Sequence, residues 1–167
     1  MSAMPGGPPP DRFIYSPDTD PALFDGILSK RIVGFCIDAV LIVALMIPMA
    51  LLVLVLGFVT LGLGWLLFPP LFAIVALAYM ALTLGGPASA TPGMRVAGAE
   101  MRTWSGQKLF PLLAVMHALL FWFSIVLLTP LILLFGLLTR RKQLLHDLLL
   151  GVVAVNAEAL RRREGTV

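Results

Sequence analysis

The sequence predicts an all-α integral membrane protein, a small helical bundle of about four membrane-embedded segments, on three observations. Of its 167 residues, 59% are hydrophobic and only 13% charged, and the mean hydropathy of +0.98 is far above that of soluble domains. No charged side chain occurs between Asp38 and Arg95, or between Lys108 and Arg140; apolar runs beyond about 18 residues are membrane-helix candidates. The basic residues stand in clusters beside these runs, as Lys30 and Arg31, as Arg95, Arg102 and Lys108, as Arg140 to Lys142, and as Arg161 to Arg163. That pattern is a topology signal, and it has none of the basic, aromatic-interleaved character of a nucleic-acid face.

Residues 1–29 are rich in Pro and Gly and carry Asp11, Asp18, Asp20 and Asp25, a composition expected for a mobile tail. The patches Phe13 to Tyr15 and Leu23 to Leu28 are its only apolar parts and could touch the membrane surface. The first apolar run starts only after Lys30, so no cleaved leader is expected. The first membrane helix is expected over about Arg31 to Leu56, bent at Pro48, and Cys36 within it reads as small core filler, alone and unable to form an intramolecular disulfide. A short connection over Gly57 to Gly64 leads to a second helix over about Trp65 to Leu84, with Pro69 and Pro70 near its start, where missing amides cost least.

The polar loop from Thr91 to Gly106 alternates around Arg95 to Arg102 between Pro-Gly and Ser-Gly signals, which suggests one or two short strands, or a coil, at the cytoplasmic surface. The second apolar block, Leu109 to Thr139, has 31 residues, about 46 Å as one straight helix, too long for one span and too short for two. If Lys30 is cytoplasmic, a single third span would export Arg140, Arg141 and Lys142. The positive-inside tendency therefore favours a bent or re-entrant pair with a break within Phe123 to Pro130 and both termini cytoplasmic, over three spans with an external tail. After it, Gln143 to Val155 is apolar but too short to cross, and Val152 to Val155 could extend as a strand against the Arg95 to Arg102 segment. Residues 157–167 look like a basic, solvated tail.

Asp38 and Arg31 are the expensive charges. Seven residues apart, they project within about 20° of one another on a helix, about 10 Å apart along its axis. A carboxylate at that depth costs on the order of 2–3 kcal/mol and needs a partner or a proton. Arg31 with Asp38, the Thr91-Pro92-Gly93-Met94-Arg95 loop, and His146-Asp147 followed by Leu148 to Val155 together resemble the RDD family of bacterial membrane proteins, named for one arginine and two aspartates. The resemblance covers about residues 27–156, with Met94 where Lys is common, Val152 where Thr is common, and no Arg at the start of the Leu109 to Thr139 block. It implies a domain over 30–156, residence in the bacterial inner membrane, and a role in transport, with sodium/proton exchange suggested for some members.

Arg31, Asp38 and Asp147 thus form the expected polar cluster, either a packing lock with Arg31 bridging two carboxylates or a cation or proton path. His146 and Arg95 are secondary candidates. His146 reads as amphipathic surface or a group titrating near neutrality, and His117 as a satisfied core residue or a helix-pairing donor rather than a ligand. Two His and one Cys match no zinc spacing, Thr91-Pro92-Gly93 reads as a turn rather than a phosphate cradle, and no nucleophile–base pair is present. No enzyme, metal or cofactor is therefore expected. The partners expected are the bilayer, anionic lipid headgroups at the basic loops, and a second copy or another membrane protein.

Overall fold

The computed structural model describes residues 14–128, 139 and 141–165. Its longest element, α1, spans Ile27–Val59, longer at both ends than the composition suggested. In hydrocarbon every amide must be satisfied within its own segment, which favours helix throughout such a run. Pro48 lies inside α1 and costs it one backbone donor. The most apolar window of this helix has a mean hydropathy of 3.1 and is only 11% buried, with Val40, Ile47, Leu51 and Val55 among its exposed side chains. By length and composition, α1 can cross a membrane. Cys36 is exposed on that outer surface, not packed in the core; a thiol is apolar enough for such a position.

A short 3-10 turn at Leu63–Leu67 precedes α2, Leu71–Thr83. The expected start at Trp65 is thus corrected: Pro69 and Pro70 supply no amides, so the regular helix begins after them, with Pro70 at the N-cap. Helix α2 packs on α1 through Val53, Leu71 and Val75 at one level and Ile42, Ala76 and Tyr79 at another.

The loop expected as strand or coil contains both a helix and a strand. Helix α3 covers Pro92–Ala97 and β1 covers Ala99–Thr103. After α4, Pro111–Leu128, and the short α5, Leu145–Leu150, comes β2, Val152–Asn156, followed by α6, Ala157–Glu164. No break interrupts α4 between Phe123 and Leu128; the rest of the segment in which one was expected lies outside the described residues.

Strands β1 and β2 pair antiparallel, with Met101 opposite Ala154 and Thr103 opposite Val152, so the strand expected from Val152 to Val155 is present. Its unbroken apolar run follows from burial on both faces. Val152 and Ala154 face a core with Ile27, Leu84, Met94 and Met101, whereas Val153 and Val155 face Tyr15, Leu23, Phe24 and Leu160. On that second face, Arg102 pairs with Glu100 at 2.7 Å and approaches Glu164 of α6 at 3.8 Å. Burial raises the Glu100 carboxyl above its ordinary pKa, against the pull of Arg102 and Lys108.

Two terminal expectations change as a result. Residues 14–29 are not a loose tail, because Tyr15, Leu23 and Phe24 bury against β2 and the Ile14 amide donates to the Trp104 carbonyl at 3.2 Å. The basic C-terminal segment is likewise a helix, docked through the buried Leu160, although Arg161 to Arg163 remain exposed. Both segments carry a few large apolar groups amid polar ones, enough to cover the outer face of a two-stranded sheet that could not stand alone.

Candidate functional site: two buried acids

Asp38 lies one helical turn below Gly34, where α1 crosses α3. Its Oδ1 accepts a hydrogen bond from the Tyr79 hydroxyl of α2 at 2.5 Å and another from the Gly93 amide at 2.8 Å; its Oδ2 accepts from the Thr91 hydroxyl. The local sequence explains this geometry. Thr91 is the N-cap of α3, its oxygen also accepting from the Met94 amide at 3.1 Å. Pro92 at the first helical position has no amide to satisfy, and Gly93 supplies the next one to Asp38. Thr91 and Asp38 between them therefore cap α3, with the carboxylate at the positive end of its dipole.

Gly93 is required by proximity. A Cβ built there would lie 2.7 Å from the Asp38 Cγ and overlap the Gly34 carbonyl, while one on Gly34 would lie 3.2 Å from the Met94 Cα. The Gly93→Ala substitution is therefore expected to cost about 2–3 kcal/mol through overpacking, and Gly34→Ala less. Unfolding in detergent, followed by circular dichroism, measures the difference.

The second acid, Asp147, is fully buried in the first turn of α5. Its Oδ2 accepts from the Arg31 guanidinium and, at 2.9 Å, from the Leu144 amide, so it pairs with a charge and caps its own helix. Arg31 also donates to the Lys142 carbonyl at 3.4 Å. Burial favours the protonated acid, but Arg31 and the two histidines outweigh it and hold Asp147 down to about 2.

Around the other oxygen, Oδ1, stand His117 from α4, with Nδ1 at 3.6 Å, and His146, with Nε2 at 3.4 Å. Neither approach has hydrogen-bond geometry: among the described residues Asp147 Oδ1, His117 Nδ1 and both nitrogens of His146 have no hydrogen-bond partner. The imidazoles meet edge to face with centroids 4.7 Å apart, and Phe121 closes on His146 at 5.3 Å. Burial is the main cause that pushes His146 down to about 3, with Asp147 opposing it.

The three-residue junction expected from the sequence is therefore two junctions. Arg31 and Asp147 come together, but no ion pair joins Asp38 to Arg31 among the described residues. The i, i+7 spacing aligned them in direction only, and Arg31 turns sideways to a carboxylate on a different element. His146 is not amphipathic surface but buried against Asp147, and His117 is not a satisfied core group. Arg95 sits exposed in the last turn of α3, and among the described residues no hydrogen bond or ion pair joins it to either acid. Sequence spacing also missed Tyr79, although a phenol in an apolar helix signals a buried acceptor.

A protein-family model, the RDD family, matches residues 26–151. The chain belongs to the RDD family. No curated protein and no solved structure matches it. RDD proteins are membrane-associated, which agrees with the apolar exterior of α1. The matched region of this RDD chain starts just before α1 and ends just before β2, so it includes both acids and Arg31.

Proposed function

We propose that this RDD protein is a multi-pass structural or accessory module of the bacterial inner membrane, held closed at its cytoplasmic face by the Asp38 and Asp147 junctions. The observation that carries this reading is the coordination of Asp38. Both of its oxygens are occupied by donors from α2, from α3 and from the residue that caps α3, so the acid joins elements instead of lining a path. Two surface clefts, one lined by Pro21, Phe24 and Lys142 and the other by Asn156, Ala159 and Arg162, have neither Asp38 nor Asp147 in their walls.

Pairing of β1 with β2 supports an even topology, because the chain must return to the same side between Thr103 and Val152. A re-entrant or bent pair over Leu109 to Thr139 meets that demand. The sheet side also gathers Lys30, Arg102, Lys108, Lys142 and Arg161 to Arg163, which favours the cytoplasm. Exposed Arg95 and the basic loops then face anionic headgroups or a protein partner. Topology can be tested with single cysteines at Ser105 and Arg162 in a Cys36→Ser background. Both should react with an impermeant maleimide only after the inner membrane is permeabilised; labelling of either one in intact cells contradicts this orientation.

Transport, as part of a cation/proton exchanger, is the second reading, and one observation favours it. The unpartnered nitrogens of His117 and His146 converge on Asp147 Oδ1, and buried ionisable groups beside a membrane segment often mark ion routes.

A further inference from the structure

We propose that His117, His146 and Asp147 form a binding site for a divalent first-row transition cation, with zinc or cobalt as the probe. This goes beyond the packing role of Asp147 and does not depend on it. The donor set is two imidazoles and one carboxylate oxygen, the mixture that suits zinc, cobalt, nickel or iron rather than sodium, calcium or magnesium. Each residue offers one ligand atom, and these atoms lie within 4.8 Å of one another.

The dimensions fit a tetrahedral ion. With bonds of about 2.0–2.1 Å, ligand atoms in a tetrahedral site stand about 3.4 Å apart. Asp147 Oδ1 is 3.4 Å from His146 Nε2 and 3.6 Å from His117 Nδ1, so two edges are already at that length. All three ligand atoms lie within 4.8 Å of one another, so the remaining edge has to shorten by at most about 1.4 Å for a tetrahedral ion.

Polar satisfaction gives the second, independent argument. His146 and Asp147 are fully buried, and buried polar atoms in folded proteins are nearly always partnered because an unpartnered one keeps its full desolvation cost. Four such atoms gather here, the Asp147 oxygen and three imidazole nitrogens. A cation would engage three of them at once, the lone pairs of His117 Nδ1, His146 Nε2 and Asp147 Oδ1, with protons on the opposite ring nitrogens.

Arg31 sets the limits of the site. It holds Asp147 through Oδ2 and leaves Oδ1 for the metal, fixing the carboxylate as outer partners fix ligands elsewhere. Because the guanidinium already neutralises that charge, the affinity should be moderate, and three protein ligands leave a fourth position for water or an anion. The three ligands come from α4 and α5, so metal binding would fasten α4 to the C-terminal segment.

The test is favoured by composition: the chain has only two histidines, both in this cluster, and one cysteine. Tag-free, full-length protein in detergent, stripped with a chelator, is titrated with cobalt and with zinc. The expected result is about one ion per chain, visible cobalt bands of tetrahedral type without a thiolate band, and a rise in thermal midpoint on adding zinc. His117→Phe, which keeps a ring against His146, should weaken zinc binding by more than about 100-fold, beyond the effect typical of losing an outer partner. Its folding is checked separately by its midpoint without metal. Substoichiometric cobalt with no tetrahedral spectrum in the wild-type protein overturns the proposal whatever the variants do, as does unchanged zinc affinity in folded His117→Phe.

Discussion

Asp38→Ala should destabilise the protein by about 3–5 kcal/mol and sharply reduce its accumulation in the membrane. The substitution strands the Tyr79 hydroxyl, the Gly93 amide and the Thr91 hydroxyl in a buried crossing. Hydrogen bonds to a charged acceptor are worth about 1.5–3 kcal/mol each, and unpartnered donors pay their full desolvation cost. Tyr79→Phe removes one of the three donors and should cost about 1–2 kcal/mol. Asn at position 38 keeps one carbonyl oxygen for Gly93 and Tyr79, so Asp38→Asn should fall between these. Unfolding midpoints of the three variants in one detergent give the order. A wild-type midpoint for Asp38→Ala would remove Asp38 as the hub of α1, α2 and α3.

The second large effect belongs to Arg31→Met. Asp147 would keep the Leu144 amide but lose its counter-charge while fully buried, and breaking a buried pair from one side costs about 3–5 kcal/mol. Arg31→Lys should cost less, about 1–2 kcal/mol, because a point charge restores the pairing but not the added contact to the Lys142 carbonyl. Adding Asp147→Asn to Arg31→Met should recover part of the loss, since the amide oxygen still caps α5 and no buried charge remains. A double-mutant cycle by thermal unfolding measures that coupling; strict additivity would mean that the two groups do not act as a pair.

What was legible in the sequence, and what was not, follows from the reach of each signal. Apolar runs are legible because lipid demands them residue by residue, and Val152 to Val155 are legible as a strand because two faces must be covered at once. The end of the polar tail was less so: Tyr15, Leu23 and Phe24 are too few to announce a core, and only the presence of β2 beneath them gives them one. Thr91-Pro92-Gly93 carried a helix-start signal, with Thr at the N-cap and Pro after it, that competes with the turn reading of Pro-Gly.

The two acids divide along the same line. Asp38 was recognisable as expensive, but its partners come from positions 79, 91 and 93, and periodicity within α1 says nothing about them. It pointed instead to Arg31, seven residues away on the same face, whose long side chain is claimed by Asp147. His117 and His146 stand 29 residues apart, which matches no ligand spacing on a helix or hairpin. They meet only because α4 and α5 pack together.

The most direct test of the central claim, that the buried acids close the fold, is Asp38→Asn examined in proteoliposomes for both stability and cation-dependent proton flux. The expected result is a lowered thermal midpoint with the same flux, if any, as the wild-type protein. A variant with an unchanged midpoint that has lost a flux measured for the wild type would contradict it and make Asp38 part of a route for ions.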